Sequence, residues 1–236
     1  MPFTRAFFNT VIDALFPVPL AEREVLAMGQ MAAFKDLPRA ERPQIGEACS
    51  IFAYKDERIT RLIWSIKYKK SRAGAALAGY ALYRVACRFA SALPEGVRAV
   101  VVPMPITRAR RRERGFNQCE LILDEMEKLD TDKRLIFAQG LLLRVKHTSR
   151  QTMKDRGERL ESIKGVFAVN EEVFYSLEAR DKDVGRLGPH PCPALPKNCF
   201  IIVIDDVITT GSTMRDAINT LRQAGFKNSY GLSVAH

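Results

Sequence analysis

Short apolar runs alternate along this 236-residue chain with segments whose apolar positions recur every three or four residues. Phe200 to Ile204 is apolar throughout, the pattern of a strand buried on both faces of a parallel sheet. Cys49–Tyr54, Ala99–Val102, Leu141–Val145 and Tyr230–Val234 read as further strands. Between them, Ile59, Leu62, Ile63 and Ile66 share one helical face. A small-residue helix covers Ala73 to Ala92, and another runs from about Phe116 to Lys128. Met214, Ala217, Ile218 and Leu221 line one side of a last helix, which Gly225 stops. Alternating strands and helices predict an α/β fold with a mostly parallel, twisted sheet flanked by helices.

The two ends of this pattern differ from its middle. Residues 1–48 read as an N-terminal helical extension broken at Pro17, Pro19, Pro38 and Pro43. Within it Phe7, Phe8, Val11, Ile12 and Leu15 fall at helical spacing, which predicts a docking helix rather than a signal peptide. Residues 49–236 form the main domain. Inside it, residues 181–198 carry four prolines and two glycines and read as an irregular, disordered insertion loop.

Composition adds limits. A hydrophobic fraction of 47% suits a globular core, and no apolar run approaches the roughly 18 residues of a membrane span. The five cysteines are odd in number and give no disulfide framework, so reduced thiols in a cytoplasm are expected. Cys192, Cys199 and His190 lack a fourth ligand and CxxC spacing, and the two cysteines read as loop residues. His147 reads as a solvated loop residue, and Trp64, beside Ile63 and Ile66, is expected in the core.

Charge changes the picture more. The net +10 is concentrated in residues 58–72, 107–114 and 144–159, which together hold seventeen basic and three acidic residues. Clusters this poor in acids meet polyanions: a diphosphate, a nucleic-acid backbone, or both.

The candidate chemistry lies just after the apolar run. Asp205 and Asp206 stand at the strand's carboxyl end, followed by Thr209, Thr210, Gly211, Ser212 and Thr213 and then the last helix. Backbone N–H groups at a helix start, with hydroxyls beside them, suit a phosphate, and the helix dipole favours the anion. Two carboxylates beside a phosphate cradle suit ribose hydroxyls or the surroundings of a divalent metal. No GxxxxGK[ST] occurs and no GxGxxG follows a strand, which argues against a P-loop or a dinucleotide fold.

Asp205-Asp206 followed by Val207-Ile208-Thr209-Thr210-Gly211-Ser212-Thr213 resembles the signature of type I phosphoribosyltransferases, which bind 5-phosphoribosyl-1-diphosphate (PRPP). That resemblance implies that Asp205 and Asp206, the catalytic pair, meet the ribose hydroxyls while Thr209 to Thr213 hold the 5′-phosphate. Pro105, Ile106, Thr107 and Arg108 are similar to the family's diphosphate loop. The basic stretch that starts at Arg144 resembles its mobile lid, with Arg150, Gln151, Lys154 and Arg159 as the candidates there. Mg²⁺ is implied as arriving with PRPP, with no direct protein ligation of a metal expected.

Ile66-Lys67-Tyr68, Arg114-Gly115-Phe116-Asn117-Gln118, Gln151 and Arg159 are similar to one subgroup, the ComF family linked to DNA uptake. Its usual paired cysteines after Leu15-Phe16-Pro17 are missing here, so its zinc module is not expected. Ser162 replaces the usual lid asparagine. Two functions stay open: transfer of a phosphoribosyl group, or a non-catalytic competence role binding single-stranded DNA through the basic loops or sensing PRPP.

Overall fold

The computed structural model describes residues 19–145, 166–170, 172–173 and 199–236. The segment before Pro19, the lid candidates Arg150, Gln151, Lys154 and Arg159, His147, Ser162, and the 181–198 insertion with His190 and Cys192 lie outside the described residues.

Two short helices, α1 (Leu20–Ala27) and α2 (Gln30–Asp36), precede strand β1 (Ala48–Phe52). Helices α3 (Glu57–Lys69) and α4 (Arg72–Ser91) follow, then β2 (Arg98–Pro103), α5 (Arg108–Arg114), α6 (Gln118–Leu129) and β3 (Leu135–Phe137). A small pair, β4 (Leu142–Arg144) and β5 (Phe167–Val169), comes next. The chain closes with β6 (Cys199–Val207), α7 (Ser212–Gln223) and β7 (Asn228–Ala235).

Five strands form one parallel sheet in the order β1-β7-β6-β2-β3, with β6 at its centre. The apolar run of β6 explains that place. Ile201, Ile202, Val203 and Ile204 are all fully buried, each contributing about 2 kcal/mol. Alternation divides them: Ile202 and Ile204 join the core under α3, α4 and α6, while Ile201 and Val203 join the core under α7. Val25 of α1 and Ala33 of α2 belong to the first of these cores, so the described part of the helical extension packs onto the domain. Buried Glu22 of α1 also meets Lys69 of α3 at 2.7 Å.

Helix ends follow local chemistry. Asp56 caps α3 by accepting from the N–H groups of Arg58 and Ile59, and Ser71 caps α4 through Gly74 N–H. The Arg114-Gly115-Phe116-Asn117-Gln118 run is a helix–helix junction. Gly115, at φ 78°, ends α5 in the left-handed region. Asn117 then caps α6 by accepting from Cys119 N–H, while its amide donates to the Met104 carbonyl at 3.0 Å. That bond fastens the start of α6 to the loop after β2.

Four expectations need correction. The 107–114 stretch is helical rather than a loop from Arg108 onward, because Thr107 caps it and arginine is a good helix former. Leu142–Arg144 is a strand but pairs antiparallel with β5, outside the main sheet. Cys199 is a buried strand residue, not a loop cysteine. Trp64 is 43% exposed, because the buried stripe of α3 is Ile59, Leu62, Ile63 and Ile66, and position 64 points away from it. Strand β3, only three residues long, and β5 carry too little periodicity to be read from sequence.

Candidate functional site

A cleft of about 470 Å³ opens where β6 and β2 end. In an open parallel sheet this is where ligands bind, since the loops leaving the strands diverge there. The segment from Asp205 to Met214 forms one wall, Met104, Pro105 and Ile106 another, and Lys67, Tyr68 and Tyr54 border it from the α3 side.

The two acids of β6 differ because a strand sends successive side chains to opposite faces. Asp206 is 4% exposed and turns towards α3, where Lys67 Nζ lies 2.6 Å from its Oδ2. That approach neutralises charge but lacks hydrogen-bond geometry, and among the described residues Oδ2 has no hydrogen-bond donor. Asp205, half-buried, accepts at Oδ1 from Asp206 N–H at 2.9 Å and from the Cys119 thiol at 3.4 Å. Burial, and next the charge of Asp206, push the Asp205 carboxyl well above the usual carboxylate range. Burial and the same two carboxylates push the Cys119 thiol up as well, so it stays protonated and donates.

Ligand atoms of Cys119, Asp205 and Asp206 lie within 4.8 Å of one another. Magnesium selects oxygen, and a protonated thiol is a poor ligand for it. Of these three groups only the two carboxylates therefore have the chemistry magnesium selects.

Facing the acids is the start of α7. Its N-cap, Gly211, has φ 75° and offers no side-chain cap; Ser212 N–H meets Thr210 Oγ1 at 3.5 Å, and the first-turn N–H groups beyond it remain for a ligand. Thr209, Thr210, Ser212 and Thr213 are exposed around it, and the hydroxyls of Thr210 and Ser212 touch at 3.1 Å. A Cβ at position 211 would stand 3.0 Å from Ile45 Cγ2, so this glycine is held by space as well as by φ.

The diphosphate-loop candidates divide. Pro105 and Ile106 line the cleft, whereas Thr107 and Arg108 are not among its lining residues and the Thr107 hydroxyl is used as the cap of α5. Cations from other positions reach the cleft instead: Arg110 and Arg114 of α5, and Arg144 of β4. Burial, and next the charge of Arg110, lower the Arg144 guanidinium from its ordinary value. Arg114 donates to Gln118 Oε1 at 3.1 Å, while its buried Nε has no partner among the described residues.

Sequence reasoning did not single out Arg110, Arg114, Arg144, Tyr54 or Cys119 as site residues. Helical spacing of 110 and 114 was the available signal for the first two. Arg144 opens the basic 144–159 stretch, which marked the stretch but not this residue, and nothing local marks Cys119.

Fold and site together make this an α/β protein whose parallel sheet, flanked by helices, is consistent with the type I phosphoribosyltransferase-like fold. No protein-family model matches the chain. It is similar to Competence protein F of Haemophilus influenzae, at 28% identity over 138 residues. That alignment takes in 56% of this chain and 46% of the relative, so the chain spans about half the length of the curated protein it matches. The likeness supports a ComF-like relationship.

Proposed function

We propose that the cleft binds PRPP together with Mg²⁺ and transfers its phosphoribosyl group to an acceptor, releasing diphosphate. One observation carries this reading: a hydroxyl-rich helix start, an acid pair and a cluster of arginines converge on one cleft of about 470 Å³. Each part matches one part of the ligand. The start of α7 takes the 5′-phosphate, Asp205 and Asp206 take the ribose hydroxyls, and Arg110, Arg114 and Arg144 face the diphosphate. Departure of diphosphate breaks the C1–O bond and leaves positive charge on the ribosyl centre. The carboxylates stabilise that centre, and the arginines stabilise the leaving group. Bound Mg²⁺ supplies further neutralisation of the diphosphate.

Calorimetry with PRPP and MgCl₂ tests binding. Wild type is expected to bind and the Asp205→Asn/Asp206→Asn double variant to lose most of its affinity; equal binding by both overturns the reading. Release of diphosphate on addition of candidate acceptors then tests transfer.

The likeness to a competence protein favours a second reading, in which the chain serves DNA uptake and PRPP binding is regulatory. The concentration of positive charge supports it.

A further inference from the structure

The outer face of α3 carries an exposed aromatic pair. Trp64 is 43% exposed and Tyr68 is 54% exposed, with ring centroids 5.2 Å apart at 45°. An amphipathic helix has no folding reason to place a tryptophan and a tyrosine four residues apart on its solvent side. The core stripe of α3 is already complete without them.

Cations surround the pair. Lys69 Nζ lies 5.4 Å from the Trp64 ring centroid, and the Arg114 guanidinium lies 5.1 Å from that of Tyr68. Lys70 follows, 5.5 Å from the Phe116 ring. Two nearby acids are already engaged: Glu57 with Arg61 and Glu22 with Lys69. Among the described residues Lys70 and Arg114 form no ion pair with an acid, and the buried Nε of Arg114 lacks an acceptor. The face is therefore apolar, flat-sided and positive. It also runs into the cleft, because Tyr68 and Arg114 line both.

Resting on the DNA-uptake reading above, we infer that the Trp64–Tyr68 pair is a stacking platform for the unpaired bases of a single-stranded nucleic acid, whose phosphates lie against Lys70 and Arg114. Aromatic faces accept any base, and cations beside them follow the backbone; that combination defines sequence-tolerant single-strand binding. A double helix hides its base faces and cannot use the rings. A protein partner covering the same aromatic face would need acids opposite Lys70 and Arg114, but would have no need of bases.

Trp64 is the sole tryptophan, so its fluorescence reports on this platform directly. The experiment uses the full chain, a labelled twelve-residue oligothymidylate, and an abasic oligomer of equal length and phosphate count. Oligothymidylate is expected to quench Trp64 emission. By anisotropy, Trp64→Leu is expected to lose roughly tenfold or more in affinity for it, and Tyr68→Leu a similar amount. The abasic oligomer is expected to bind wild type no better than oligothymidylate binds W64L. Equal affinity for the two oligomers, absence of quenching, or unchanged binding by W64L overturns the inference. The oligomer comparison needs no variant, so it stands even if a substitution harms folding. Trp64 does not line the cleft, so this test and the PRPP test fail independently.

Discussion

Lys67 and Asp206 meet at 2.6 Å, joining the last turns of α3 to the carboxyl end of β6. The contact gives the more buried of the two acids a fixed counter-charge. It also leaves Asp205, which has no cation so close among the described residues, as the acid that holds a proton more tightly than usual.

Removing the lysine leaves Asp206 uncompensated in a buried place. Lys67→Met is expected to cost about 3 kcal/mol, the low end for a broken buried pair, since the Lys67 side chain is still 21% exposed. Adding Asp206→Asn should restore part of the loss. Urea unfolding of both single variants and the double variant at pH 7 measures this coupling; additive losses contradict it.

Asp205 gives stability a pH dependence of defined sign. Its carboxyl titrates well above its ordinary value of 3.8, so the folded state binds the proton more tightly than the unfolded state does. The stabilisation is fully present below about pH 4 and is lost as pH rises through the raised value. Asp205→Asn removes the ionisation. The variant is expected to melt higher than wild type at pH 7 and to show a flatter melting profile above pH 4, while binding PRPP more weakly. A lower melting temperature at neutral pH would falsify this account.

Gly231 of β7 is a packing requirement. A Cβ there would stand 2.6 Å from Met214 Cγ and 2.7 Å from Ala48 Cβ. Gly231→Ala is therefore expected to destabilise by about 1–3 kcal/mol through overpacking. Because Met214 belongs to the first turn of α7 and lines the cleft, ligand affinity should fall too. Thermal unfolding read beside PRPP calorimetry checks both, and a neutral substitution would show that β1 and α7 yield freely.

The proposed assignment of separate groups to separate parts of PRPP predicts separable losses. Arg110→Gln and Arg114→Gln are each expected to weaken PRPP binding roughly tenfold or more, as for a lost charge-assisted hydrogen bond. Both should leave ribose 5-phosphate nearly unaffected. Ser212→Ala should weaken both ligands alike. Competition calorimetry distinguishes these patterns, and equal losses for the two ligands in the arginine variants contradict the assignment.

The thiol of Cys119 offers a test of the geometry independent of ligand. Buried, and pushed up by burial and the two carboxylates, it should resist iodoacetamide at pH 7.5 in the native protein and react on unfolding. Mass mapping of the labelled cysteine reads this directly. Rapid native labelling at Cys119 would place the thiol in a more open setting.

Much of the fold and of the wall of the cleft formed by Asp205 to Met214 was legible along the chain. The run Phe200 to Ile204 specifies a doubly buried strand by its pattern alone, and the acids, Gly211 and the hydroxyls follow it within one continuous segment. A strand end, a left-handed glycine and a helix start are local events, so their order in sequence is their order in space. Tertiary structure decided what stands opposite. Lys67 reaches Asp206, Cys119 reaches Asp205, and Arg144 reaches the cleft from a small sheet of its own, each across chain separations that no periodicity spans. Adjacency also misled at Trp64: the neighbour of a core residue along a helix lies about 100° around it. Local pattern therefore determined the cradle. Long-range packing decided which charges face it and which aromatic rings are left in solvent, because those depend on how the helices are laid against the sheet.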